Sequence, residues 1–231
     1  NNCSKIMKQA IIKILKIIKR SFFFKPWSTK PLELWAILNL ILIKTKPESI
    51  LELGSGRSTF HFYEYAIKYN KNLESVEHNW TYLKFIQKGL KSVFGKNYNY
   101  MNFVPIKNDW YDSSKIKTDF DFLFIDGPNE NSFLKTNNST RSSKKAVEFL
   151  RDKIKNCKIV IIDDTDRALI VDLINNLNIK LKYNEFIYNN NQKINNKPAK
   201  LRIYYQIQYE EFVDNISKLI LQETDPKILR T

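Results

Sequence analysis

The stretch that most plainly invites chemistry is Ser49-Ile50-Leu51-Glu52-Leu53-Gly54-Ser55-Gly56, an apolar, β-rich run that ends in a glycine turn. Such a turn lets backbone approach a bound molecule closely, and a helix opening behind it aims free N–H groups at that molecule. The turn completes neither common phosphate-binding pattern. The third glycine of the dinucleotide fingerprint is replaced by Thr59, and no Gly-x-x-x-x-Gly-Lys-Ser/Thr sequence occurs. Glu52 stands two places before Gly54; a carboxylate there repels a phosphate and attracts a cationic amino-acid moiety.

Carboxylates recur where later apolar runs end. Ser75-Val76-Glu77-His78-Asn79 places Glu77 beside the glycine turn, where an acid holds ribose hydroxyls in Rossmann-like folds, and His78 beside it lines the adenosine side. In Asn108-Asp109-Trp110, Asp109 is suited to accept from an adenine amino group and Trp110 to give an apolar or stacking wall. Phe124-Ile125-Asp126-Gly127-Pro128 and Ile162-Asp163-Asp164-Thr165-Asp166-Arg167 add Asp126, Asp163 and Asp164. Acids at successive carboxyl strand ends converge on the crevice where open α/β sheets bind ligands.

The elements that must position these residues follow a strand–helix rhythm. Strands are expected at Ser49 to Leu53, Leu73 to Glu77, Tyr100 to Ile106, Phe120 to Ile125 and Cys157 to Ile162. Helices are expected from about Thr59, Trp80, Ser142 and Arg167, with an earlier one from Pro31 to about Ile43. That alternation predicts a doubly wound, mostly parallel sheet. Lys180 to Ile187 and Leu201 to Gln208 read as an antiparallel hairpin around the Asn-rich stretch Asn189 to Lys200, read as a mobile lid, before a last helix from Glu210 to Gln222. Residues 1–30 read as a helical extension and 31–231 as the main domain: from Lys5 to Arg20, lysines gather on one helical face and isoleucines on the other.

In order, Glu-x-Gly-x-Gly, Ser-Val-Glu-His, Phe-Asp-Phe-Leu-Phe-Ile-Asp-Gly-Pro and Ile-Val-Ile-Ile-Asp-Asp-Thr-Asp-Arg resemble class I S-adenosylmethionine-dependent methyltransferases, over about residues 32 to 175. Within them the chain looks like a bacterial group encoded beside surface-polysaccharide and small-molecule tailoring enzymes. The resemblance implies a Rossmann-like seven-stranded sheet with a late antiparallel strand, and S-adenosylmethionine as cofactor. It implies that Gly54, Ser55 and Gly56 wrap the methionine part with Glu52 near its amino group, that Glu77 binds the ribose and Asp109 the adenine, and that Asp126 sits beside the sulfonium. Ser58 stands where many relatives carry another small residue or glycine. For Asp126, Asp163 and Asp164 two roles fit: all-oxygen ligands to a divalent cation such as magnesium, as in catechol-type relatives, or a general base, with Asp163 and Asp164 also placed to cap a helix.

Bulk composition narrows the class further. With 43% hydrophobic and 27% charged residues the chain has an ordinary globular balance. Only Cys3 and Cys157 and only His61 and His78 occur, which excludes a disulfide framework and any metal site built on Cys or His, and makes the reducing cytoplasm the expected compartment. Lys plus Arg total 38 against 24 acids, a net charge of +14, which suits an anionic partner. The leading expectation is methyl transfer to a hydroxyl or similar group of a small anionic acceptor such as a nucleotide-sugar, phosphorylated metabolite or glycan intermediate. Arg141, Lys144 and Lys145 stand ready to grip it or simply open a solvated helix. RNA methylation, and a non-catalytic membrane-associated scaffold, are the rival classes. The basic first helix packs on the domain, on a second subunit, or against the inner membrane face.

Overall fold

The computed structural model describes residues 32–95, 100–107, 110–116, 119–128, 144–163, 175, 181–188 and 199–223. The expected basic helix from Lys5 to Arg20, the helix from Arg167 and nearly all of the Asn-rich stretch lie outside the described residues.

A seven-stranded sheet forms the centre, built from β1 (Ser49–Leu53), β2 (Asn72–Glu77), β3 (Met101–Phe103), β6 (Phe122–Ile125), β7 (Ile159–Asp163), β8 (Leu181–Tyr188) and β9 (Ala199–Gln206). Its order is β3-β2-β1-β6-β7-β9-β8, parallel from β3 to β7 and antiparallel at β9 and β8. The order reverses between β1 and β6, and a parallel α/β sheet opens a crevice at the carboxyl ends of such a pair.

β6 and the first four residues of β7 are apolar at every position because both faces of the sheet are covered there. Ile50, Phe122, Phe124, Ile159 and Ile161 point into one buried layer, and Leu51, Leu53, Leu123, Ile125, Val160 and Ile162 into the other. The first layer is closed by α1 (Leu32–Thr45), α2 (Arg57–Tyr69) and α5 (Glu210–Glu223). Phe62 of α2 meets Phe122 and Phe124 edge-on at 5.7 and 5.4 Å. α1 buries the run Trp35 to Leu38 together with Ile41 and Leu42. It stops where the Thr45 hydroxyl donates to the Ile41 carbonyl at 2.8 Å and Lys46 turns to φ 45.

α3 (Trp80–Phe94) begins where read: the Asn79 side chain accepts from the Tyr82 N–H at 3.0 Å, and Gly95 ends the helix at φ 69. Its buried stripe is Leu83, Ile86 and Leu90. α4 (Lys144–Lys153) carries Leu150 into the second layer. Among the described residues no helix is long and apolar enough to cross a membrane.

The expected strand from Tyr100 to Ile106 is broken. β3 ends at Phe103; beyond it β4 (Ile106–Lys107) pairs back, antiparallel, with β5 (Trp110–Tyr111). Pro105 brings no N–H to a ladder, and its carbonyl instead accepts from Asp112 at 2.9 Å. The hairpin's second strand ends at Gln206, two residues earlier than read, because Ile207–Tyr209 coil into a 3-10 turn.

Candidate functional site

The glycine turn is held by backbone on both sides. The Gly54 and Ser55 N–H groups donate to the Val76 carbonyl at 2.9 and 3.1 Å, tying the turn to the end of β2. The Leu53 carbonyl accepts from Asp126 and Gly127 at 2.9 and 2.7 Å, tying β1 to the end of β6. Gly54 sits at φ +100, and a Cβ there would lie 2.5 Å from the Gly127 nitrogen. At Gly127 a Cβ would lie 2.3 Å from the Tyr111 hydroxyl and 2.7 Å from the Gly54 Cα. Both positions require glycine, and their contact sets half-buried Asp126 beside the turn.

Glu52 and Ser58, expected at the cofactor, stand underneath the turn. Glu52 is fully buried and accepts from the hydroxyls of Ser58, Thr59 (2.7 Å) and Ser75. Ser55 Oγ lies 2.7 Å from Ser75 Oγ, and the Gly56 N–H donates to Thr59 Oγ1 at 2.8 Å. The physical reason is strand alternation: Glu52 shares the face of Ile50, and the first turn of α2 closes over it. Burial pushes its carboxyl up to about 7, the three hydroxyls oppose that, and the Asp126 charge adds to it.

Glu77 closes β2 at the opposite rim. Its Oε1 accepts from the Asn79 N–H at 2.7 Å and lies 3.0 Å from His78 Nδ1. His78 in turn meets Tyr111 edge-on at 6.1 Å. Trp110, read as an adenine wall, is 1% exposed, edge-on to Tyr111 at 5.4 Å, and its ring belongs to the second core layer. Asp109 lies outside the described residues, as do Asp164 and Arg141. Asp163 is fully buried at the end of β7, in register with Leu201 of β9. Among the described residues no three His, Cys, Asp or Glu side chains form a group that could hold a metal ion. Lys145 is exposed and pairs with Glu148 at 2.7 Å.

Tyr82 is a site residue that sequence reasoning missed. Its hydroxyl stands 3.8 Å from where a Gly56 Cβ would be. Burial first, then the charges of Glu77, Asp126 and Glu52, push it up to about 12. The available signal was its position in the first turn of a helix that starts three residues after Glu77.

A second group flanks the turn. The Arg57 guanidinium rests over the Trp35 ring at 5.6 Å, and His61 stacks on Trp35 at 5.2 Å and 5°. Asn39 Nδ2 lies 3.0 Å from His61 Nδ1. Burial, with Arg57 adding to it, brings His61 down to about 4, so it is neutral at physiological pH and serves as packing.

The arrangement stands at the carboxyl edge of the sheet, where the strand order reverses: a backbone turn between two acids, with a tyrosine hydroxyl beside it. No protein-family model and no curated protein matches the chain. Solved structures do. An O-methyltransferase from Bacillus cereus in complex with SAH is 13% identical, with a TM-score of 0.52 over 86% of this chain and 91% of its own. A cofactor-bound protein from MTB is 10% identical, with a TM-score of 0.52 over 89% of each chain. At these identities the likeness is one of fold, and the fold is the Rossmann-like mixed sheet of the methyltransferases.

Proposed function

We propose that the chain is an S-adenosylmethionine-dependent methyltransferase acting on a hydroxyl of a small anionic acceptor. The observation that carries the reading is the glycine turn packed by Gly54 against Gly127, with Glu77 and Asp126 at the strand ends on its two sides and the Tyr82 hydroxyl near Gly56. The SAH and cofactor bound by the two proteins of like fold support the choice of ligand.

The residues present fit such a cofactor. Gly54 has no room for a side chain because Gly127 stands against it, Ser55 turns its hydroxyl to Ser75, and Gly56 has only the Tyr82 hydroxyl near it, which leaves the backbone of the turn to meet a cofactor. Glu77 uses Oε1 for Asn79 and His78, and we assign its other oxygen to a ribose hydroxyl. Glu52 acts through the turn, whose shape it fixes from below. When bound, the sulfonium supplies a methyl group already activated for in-line displacement. The chain's part is then to align the acceptor oxygen and exclude water.

An oxygen acceptor must also lose a proton, and half-buried Asp126 is the acid at the turn able to take it. A divalent cation shared by Asp126, Asp163 and Asp164 is the other role these acids fit. The full burial of Asp163 favours Asp126 as a base. The net charge of +14 supports an anionic acceptor of the nucleotide-sugar or phosphorylated-metabolite kind.

Calorimetric titration with S-adenosylmethionine and S-adenosylhomocysteine tests this, on the parent and on Glu77→Ala, with and without magnesium. Saturable binding lost in the variant is the expected result. A well-folded parent that binds neither ligand overturns it.

A further inference from the structure

Among the described residues, five of the ten exposed large hydrophobic side chains fall on α3 and β3: Trp80 (53%), Tyr82, Phe85, Val93 and Phe103. Scattered apolar side chains on a surface need no explanation; two contacting pairs on packed neighbouring elements do. Trp80 and Phe103 meet edge-on at 5.4 Å, and Tyr82 stacks on Phe85 at 6.2 Å.

The charge carried by the helix is of one sign. α3 carries Lys84, Lys88 and Lys91, all exposed, and no acidic residue. Spaced four and three apart, they continue the stripe that Trp80 begins. The acids of the neighbouring β2 face inward: Glu74 is 3% exposed and takes the Asn102 amide at 2.7 Å, and Glu77 is 4% exposed.

Aromatic rings at the end of a helix with lysines along its flank fit the boundary between water and anionic lipid. Rings enter the headgroup region, and ammonium groups meet phosphates. Bases of a nucleic acid need open ring faces. Here Lys84 Nζ lies over one face of the Trp80 ring at 4.3 Å, and one face each of Tyr82 and Phe85 is taken by their mutual stack. We propose that the exposed face of α3, with Phe103, docks the protein on an anionic membrane surface. The stretch Lys5 to Arg20 combines lysines and apolar residues in the same way in its sequence. The docking does not depend on the reaction proposed for the glycine turn.

The test is flotation of the full chain with vesicles of phosphatidylcholine alone, and of equal parts phosphatidylcholine and phosphatidylglycerol. The parent is expected to float with the mixed vesicles only. Lys88→Glu/Lys91→Glu is expected to lower partitioning on the order of 100-fold, and Trp80→Ser/Phe85→Ser to a similar degree, with thermal unfolding unchanged. A measurement independent of these variants uses brominated lipid in the mixed vesicles. The parent's tryptophan fluorescence is quenched, and Trp80→Phe floats normally but loses most of that quenching. Variants that float like the parent, a parent that ignores both vesicles, or a parent that binds poly(U) more tightly than anionic vesicles would each overturn the proposal.

Discussion

Gly54 and Gly127 meet backbone to backbone: a Cβ added at Gly54 would lie 2.5 Å from the Gly127 nitrogen and 2.8 Å from its Cα. Two strand ends far apart in sequence are thereby brought closer than any pair of side chains would allow. Gly54→Ala is expected to cost about 2–4 kcal/mol in urea unfolding and to abolish binding of S-adenosylhomocysteine. Gly127→Ala should behave alike. Adding Tyr111→Phe to Gly127→Ala removes only the 2.3 Å hydroxyl contact and leaves the 2.7 Å contact with the Gly54 Cα, so rescue should be partial. Full rescue would show that the tyrosine, and not the paired backbones, sets the constraint.

The carboxyl of Glu52 sits at about 7 in the folded chain against its usual 4.5, chiefly because it is buried. A raised folded value means that the folded chain holds this proton more tightly than the unfolded one. Its contribution is therefore complete below about 4.5, declines as pH rises to about 7, and is flat above that, a change of roughly 3 kcal/mol. Urea midpoints measured across that window should fall in the parent and lose this slope in Glu52→Gln. Equal slopes in both proteins would assign the titration elsewhere.

Removing the Tyr82 hydroxyl tests whether the ring beside the glycine turn touches ligand. Tyr82→Phe is expected to weaken S-adenosylhomocysteine about fivefold in calorimetry, the worth of one hydrogen bond. Global stability should stay within about 0.5 kcal/mol of the parent. An unchanged dissociation constant would leave Tyr82 a bystander.

At the opposite end of the sheet, Asp121 ties three elements together. It accepts from the Glu48 and Ser49 N–H groups at 3.1 Å each and pairs with Lys158 at 2.6 Å. Asp121→Ala strands two backbone donors and a cation, and should cost about 2–3 kcal/mol in denaturant. Ligand affinity of the folded fraction should be untouched, because the substitution lies at the amino ends of β1 and β6. A shift in affinity would contradict that separation.

Much of the scaffold was legible because its signals are local. The run Ser49 to Leu53 ends in glycines, and Asn79 marks the start of α3 one residue before Trp80. β4 and β5 were not legible, since strands of two residues carry no period. The burial of Glu52 was not legible either. Alternation assigns a strand residue to a face, but what covers that face comes from Ser58, Thr59 and Ser75, which meet only after folding. Gly127 was visible as a residue of a motif, and its contact with Gly54 was not, for the same reason.

The place of β9 between β7 and β8 bears on how the chain is made. During synthesis β7, with the wholly buried run Ile159 to Ile162, emerges well before the strand that will satisfy its free edge. β8 emerges in between, but in the sheet it touches only β9 and cannot serve as a substitute. Until Gln206 has left the ribosome, the nascent chain presents an unpaired, fully apolar strand edge of the kind that recruits other chains. Products cut short before that residue are therefore expected in inclusion bodies, whatever the soundness of the glycine turn they already contain.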